Sequence, residues 1–414
     1  MKTGEQRASL LPKLTAGLKK LPGPFQNRSF LLKLAILLVA GLVMTYALYV
    51  FLQTFIISSI SNVHGGWDAR YFWKLKAQFF VREPELWQKM FSPIIDWSHP
   101  DYPLMLPGSI TWGWLWAEKE IYVWPVVIAF LFSLATPALV FWFLIERVSL
   151  LTAIMGATFV LGMDVYQFWA VSQYADIPLC FLFTAAGVVF VQALRFKEKS
   201  LFFLTGLLAG LSAWTKNEGI VFSLWIGLVF ILILWRDKSF SNHPKKMWFL
   251  GAFLLGLAVP FACVIYIKTS LSASGDYLRS GRSFLDLVKQ LFGDWRRTVV
   301  ITASFFYYPR LEHWGGLWIF MLIAFGTRIF FRRHIKWRAY SWVFLALVTL
   351  VNLGYYLIIH ITPHSLVFQL NTAMNRLLLH STVLALLFIM ETFVPDLSRL
   401  GIAKREPATA QAAS

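Results

Sequence analysis

The sequence predicts an all-α polytopic membrane protein with about ten transmembrane helices, and three observations carry that prediction. The first is composition: 58% of the 414 residues are apolar and only 14% are charged, where a soluble domain carries about 25% charged residues. The second is that the apolar residues fall in runs with at most one charge each, near 34–57, 121–145, 150–171, 177–194, 201–215, 220–235, 247–267, 314–331, 340–359 and 377–394. Most are long enough for the ~20 residues a membrane crossing needs. The third is the charge map. With the N-terminus inside, 23 Lys and Arg and 7 acids lie inside, against 15 and 14 outside. The net charge of +17 therefore divides into +16 inside and +1 outside, as the positive-inside rule requires. It reports topology and not a nucleic-acid partner. These features exclude a soluble enzyme and a disordered chain. Cys180 and Cys263 are the only cysteines and lie in apolar runs, so no disulfide scaffold is expected.

In chain order, residues 1–33 form a basic cytoplasmic tail (Lys13, Lys19, Lys20, Arg28, Lys33) suited to anionic headgroups. The first apolar run is too long for a signal-peptide core and reads as an uncleaved span. The transmembrane domain covers 34–394, and 395–414 is a second cytoplasmic tail. The first large outer loop, 60–120, is rich in Trp, Tyr and Phe, which predicts interfacial helices. Four prolines between 93 and 107 predict an extended, rigid path there. The second large outer loop, 268–313, holds an amphipathic stretch over 276–300 with apolar residues at helical spacing, also read as interfacial. Inside loops are short and basic. The long loops and most carboxylates are outside, where there is no ATP, so chemistry there needs a substrate delivered by lipid.

Candidate functional residues gather near the outer ends of the spans. Asp68, after a Gly-Gly turn, suits a general base or a hydroxyl or cation ligand, or a helix N-cap; Arg70, Lys74 and Lys76 follow it. His99 and Asp101 either face a cavity or form a surface turn. Asp164 lies about 21 Å of helix beyond Leu150 and so at membrane depth, where an ionisable group faces a polar partner or cavity. Asp176 precedes Pro178 and can cap the fourth span. The short run at 201–215 leaves Lys216 and Glu218 slightly sunken, either lining water or paired with each other. Arg376 opens the last span with His380 one turn deeper on the same face. Arg suits bidentate phosphate binding, and snorkelling to headgroups explains an end-of-span Arg equally well.

In this order the motifs resemble those of the GT-C glycosyltransferases, in particular the protein O-mannosyltransferase and aminoarabinose transferase branch. The likeness rests on WDARYFWKLKA after the first span, HPDYPLMLP closing the first loop, Asp176-Ile177-Pro178, the turn Thr215–Gly219 and the late Arg376. It spans most of residues 30–395. The resemblance implies a GT-C-like fold in the plasma or inner membrane, both termini cytoplasmic and the site extracytoplasmic. The implied reaction moves a sugar, with inversion, from a polyprenyl-phosphate donor to an extracytoplasmic lipid, glycan or protein acceptor. Asp68 would be the base and Asp176 and Asp101 further catalytic acids. Arg376, Lys216 and His380 would bind the donor phosphate, with Asp164, His99, Glu218 and Lys74 lining the substrate. No cofactor is required. Ala69 follows Asp68 where many relatives have a second acid, so a divalent cation stays open. The alternative is a transporter or flippase of a lipid-linked anionic sugar, disfavoured by the absence of an internal repeat and the rarity of mid-span charge. A scaffolding protein would leave the outer carboxylates without a role.

Overall fold

A computed structural model of the chain describes residues 28–271, 283–309, 311–331, 338–362 and 364–393. Most of both tails, the start of the 276–300 stretch and most of the basic loop 328–338 lie outside the described residues. Every regular element described is helical. Seven helices are long and apolar enough to cross a membrane, or eight if one bent pair is a single span, as befits a polytopic membrane protein.

Helix α1 (Arg28–Ser61) lies at the edge of the bundle. Only 6% of its apolar window is buried, and Leu42 and Ile60 are 70% and 77% exposed, as a lipid-facing helix requires. A π-helical turn, Ala69–Lys74, runs into α2 (Leu75–Arg82). Two 3₁₀ segments and α3 (Met105–Trp116) complete the first large loop. The prolines thus do not hold this path extended. Pro93 opens the 3₁₀ segment Pro93–Ser98, and Pro107 sits in the first turn of α3, where a missing N–H costs nothing. Only 99–104 is irregular.

Then follow α4 (Val123–Arg147), α5 (Leu150–Gly162), α6 (Asp164–Ala170), α7 (Asp176–Phe196), α8 (Lys199–Thr215) and α9 (Asn217–Arg236). The expected span at 150–171 is broken: α5 and α6 meet at a bend of 62°. After α10 (Lys246–Tyr266) come α11 (Phe284–Gly293) and α12 (Trp295–Tyr307) in the amphipathic region. The chain closes with α13 (Leu317–Phe330), α14 (Trp342–Ile361) and α15 (Leu366–Phe393).

Helices α7 and α15 form the centre, with 89% and 78% of their apolar windows buried. They pack on each other; α4 and α8 flank α7, and α13 and α14 flank α15. Helices α8 and α10 approach most closely because Gly206, Gly210 and Gly256 face the neighbouring backbone. A Cβ on Gly206 would stand 1.9 Å from the Phe253 carbonyl oxygen. Small residues four apart allow such contact in the absence of a hydrophobic drive between helices. The α7–α15 pair and the α8–α9 turn together set the polar end described next.

Candidate functional site

Asp68 reaches the bundle through the turn that ends α1. Gly65 adopts φ +67°, a left-handed value that glycine tolerates. A Cβ on Gly66 would fall 2.4 Å from the Tyr174 hydroxyl. The Gly66 N–H donates to the Ser172 carbonyl at 3.1 Å, and the Gln173 amide donates to the Val63 carbonyl at 3.1 Å. The end of α1 is thus stitched to the 172–174 turn that precedes α7. Asp68 occupies the N-cap position of the π turn but makes no capping hydrogen bond. Its carboxylate turns to Arg376, whose Nη2 donates to Oδ2 at 2.6 Å.

Asp176 is the hub. It is fully buried in the first turn of α7. Its Oδ1 accepts from Lys216 Nζ at 3.0 Å and His380 Nε2 at 2.9 Å. Its Oδ2 accepts from Arg376 Nε at 3.0 Å and Nη2 at 2.8 Å. A carboxylate can only accept, so the His380 proton sits on Nε2, and Nδ1 accepts from the Tyr355 hydroxyl at 2.9 Å. Lys216 also pairs with Glu218 at 2.8 Å. The expected Lys216–Glu218 pair is present but is one edge of a larger network. Trp169 and Tyr174 lie 5.4 and 4.8 Å from the Arg376 guanidinium, close enough for cation–π attraction. Three carboxylates (Asp68, Asp176, Glu218) therefore surround two permanent cations, Arg376 and Lys216.

The final span begins at Leu366, earlier than hydropathy places it, because Gln369, Asn371 and Thr372 dilute its first turns. Arg376 consequently sits inside the helix and turns inward. Snorkelling to a headgroup is not what it does.

Asp101 belongs to an adjoining cluster. Asn217 donates to its Oδ2 at 2.7 Å, and Lys268 Nζ reaches its backbone carbonyl at 2.9 Å and its Oδ2 at 3.4 Å. Burial pushes the carboxyl up, but Lys268 and the Asn217 hydrogen bond outweigh it and hold Asp101 below the usual carboxylate range. Asn217 lies between Lys216 and Glu218 in the chain and joins the two clusters. The α8–α9 turn that carries all three is tight enough that a Cβ on Gly219 would stand 1.9 Å from the Ser212 carbonyl.

Three expected residues stand differently. Asp164 is exposed at the α5–α6 bend, beside Phe159, Met163 and His313 in a separate cleft of about 270 Å³; the break in the helix removes it from the bundle interior. Lys74 is buried and donates to the His64 carbonyl at 3.1 Å, so it anchors the loop; burial brings its ammonium down to about 8. His99 offers its backbone carbonyl to Lys76 at 2.7 Å while its ring stacks on Tyr102. Sequence reasoning missed Asn217, Lys268, Tyr355, Tyr174 and Tyr102, which carry no spacing signal of their own. Asn217, flanked by Lys216 and Glu218, is the one that proximity would have flagged.

Among the described residues no group of three or more His, Cys, Asp or Glu side chains is arranged to hold a metal ion. The acids of the hub already answer Arg376, Lys216 and His380, which does not fit a cation site. No known protein family, curated protein or solved structure matches the chain.

Proposed function

We propose that the protein is a membrane glycosyltransferase of the GT-C type, with its site on the extracytoplasmic face and both termini cytoplasmic. The observation that carries this reading is the sharing of one guanidinium, Arg376, by Asp68 and the buried Asp176.

In this reading the phosphate of a polyprenyl-phosphate sugar takes the Arg376 Nη2 contact that Asp68 holds in the free protein. Asp176 stays behind as the fixed counter-charge, gripped by Lys216 and His380. The displaced Asp68 carboxylate then accepts the proton of the acceptor hydroxyl or amine. The acceptor attacks the anomeric carbon from the face opposite the phosphate, the bond from that carbon to the phosphate oxygen breaks, and polyprenyl phosphate leaves. Arg376 and Lys216 neutralise the phosphate as it departs, which removes any need for a metal. Arg is suited to the exchange because its fork fits phosphate as well as carboxylate.

The test uses purified protein in detergent with polyprenyl-phosphate sugars extracted from membranes and crude periplasmic acceptors, with free polyprenyl phosphate followed by mass spectrometry. Asp68→Asn is expected to lower turnover by about 10²- to 10⁴-fold, the range for loss of a general base. It should also bind polyprenyl phosphate more tightly than wild type, because Arg376 loses a competing carboxylate. Unchanged turnover in Asp68→Asn refutes the assignment. Donor binding without turnover in either protein points instead to transport of a lipid-linked anion.

A further inference from the structure

Lys76 and Tyr102 have no part in the scheme above, and their geometry asks for one. Lys76 is only 1% exposed. Among the described residues its hydrogen bonds run to two backbone carbonyls, those of His99 at 2.7 Å and Tyr102 at 3.1 Å. A buried ammonium without a paired carboxylate is costly, so folding alone would not select it over an apolar side chain. Both carbonyls belong to the irregular segment 99–104, where His99 takes a left-handed φ of 49°. Lys76 therefore clamps this corner to α2. The clamp fixes the Tyr102 ring, which stacks on Trp73 at 5.6 Å and on His99 at 4.7 Å.

The Tyr102 hydroxyl lies where the charges of Glu218, Asp101, Arg376 and Asp68 all act on it, from four separate segments of the chain. Burial and the neighbouring carboxylates push its pKa well above the ordinary phenol value, so it stays protonated and can donate. Among the described residues that hydroxyl has no hydrogen-bond partner. It is a donor within electrostatic reach of Arg376, the guanidinium that Asp68 and Asp176 share.

We infer that Tyr102 donates a hydrogen bond to a phosphate oxygen of the lipid donor held at Arg376, and that Lys76 is the positioning residue that aims it. The inference rests on the glycosyltransferase reading.

The experiment measures binding of polyprenyl phosphate, with and without its sugar, to purified full-length protein in detergent. Tyr102→Phe should weaken both lipids by about tenfold, the worth of one hydrogen bond to a charged group at the low end. Lys76→Met should weaken them by a similar factor, and the double variant by no more than the larger single effect. Lys76→Met should also speed deuterium uptake in residues 96–104, which Tyr102→Phe should leave alone, and Lys76→Arg should restore part of the binding. Unchanged affinity for both lipids in Tyr102→Phe overturns the inference while leaving the glycosyltransferase reading intact. Loss confined to the sugar-bearing lipid also overturns it, since the contact would then be to the sugar. If wild type binds neither lipid, both readings fall together.

Discussion

The bundle has a buried charge cluster at each end, and the two are built differently. At the end remote from the candidate site, Arg147 Nε meets Glu391 Oε1 at 2.5 Å, with the two side chains 3% and 0% exposed. Arg147 also donates to the Ala339 carbonyl, and Arg338 donates to the Arg147 carbonyl at 2.5 Å. The last turn of α4, the start of α14 and the last turn of α15 are thereby tied together. At the site end, by contrast, Arg376 serves two carboxylates and Lys216 serves two more contacts, with Arg376 15% and Asp68 11% exposed. A closed pair fixes helices in register and admits nothing else. A shared cation at a partly open position can exchange one of its carboxylates for a ligand at little cost to the fold. The same residue types thus give a rivet at one end of α15 and a partly open charge network at the other.

Breaking the closed pair should produce the largest effect on stability. Arg147→Met leaves Glu391 buried without its hydrogen-bonded cation, and removing one member of a buried pair costs about 3–5 kcal/mol. Thermal unfolding in detergent should show the corresponding fall in midpoint. A loss below 1 kcal/mol would mean that the pair is wet and that the contrast between the ends is wrong.

Asp176→Asn should cost less, about 1–3 kcal/mol, although Asp176 is as fully buried as Glu391. Arg376 keeps Asp68 and Lys216 keeps Glu218, so neither cation is stranded. On the glycosyltransferase reading turnover should fall even so, because Arg376 loses the charge of its buried partner and is held by Asp68 alone. The same unfolding measurement decides the point: an effect as large as that of Arg147→Met would show that the site end is equally closed.

A further contrast separates the ends by pH. Burial brings the Lys76 ammonium down to about 7, with Asp101 opposing and Lys268 reinforcing the shift, against 10.5 in the unfolded chain. Between those values the unfolded state holds the proton and the folded state does not, so Lys76 makes folding more favourable as pH rises from about 7 toward 10.5. The neutral amine can still donate to the His99 and Tyr102 carbonyls. Residues 96–104 should therefore open less at pH 9 than at pH 6.5, by hydrogen exchange corrected for intrinsic rate. The ends of α4 and α15 should show no such trend, and Lys76→Met should abolish it in the loop.

Much of the helical layout was legible in advance, since every expected span falls on a helix or on the α5–α6 pair. Its breaks were not. The bend at Met163 lies inside an apolar run whose single charge, Asp164, does not by itself mark a break, and the early start of α15 is hidden by Gln369 and Asn371. Periodicity cannot report either, because both depend on which neighbours satisfy the backbone. For the candidate residues, type and depth were legible at Asp68, Asp176, Lys216 and Arg376. Their partners were not. Asp68 fits an N-cap by position, yet its carboxylate goes to a residue 308 positions away.

What the amino-acid sequence determined by itself is the class of molecule, a helical membrane protein with several spans. Hydropathy and charge are sums over neighbouring residues and need no fold to be read. Only the tertiary structure decided that Asp68, Asp176 and Arg376 meet, that Asp164 does not join them, and that the Tyr102 hydroxyl, unpartnered among the described residues, comes within reach of the Asp68 and Arg376 charges. Those outcomes hang on close approaches, at Gly65 and Gly66 against the 172–174 turn and at Gly219 against Ser212. A missing Cβ leaves a trace in the sequence, but the backbone that fills its space does not.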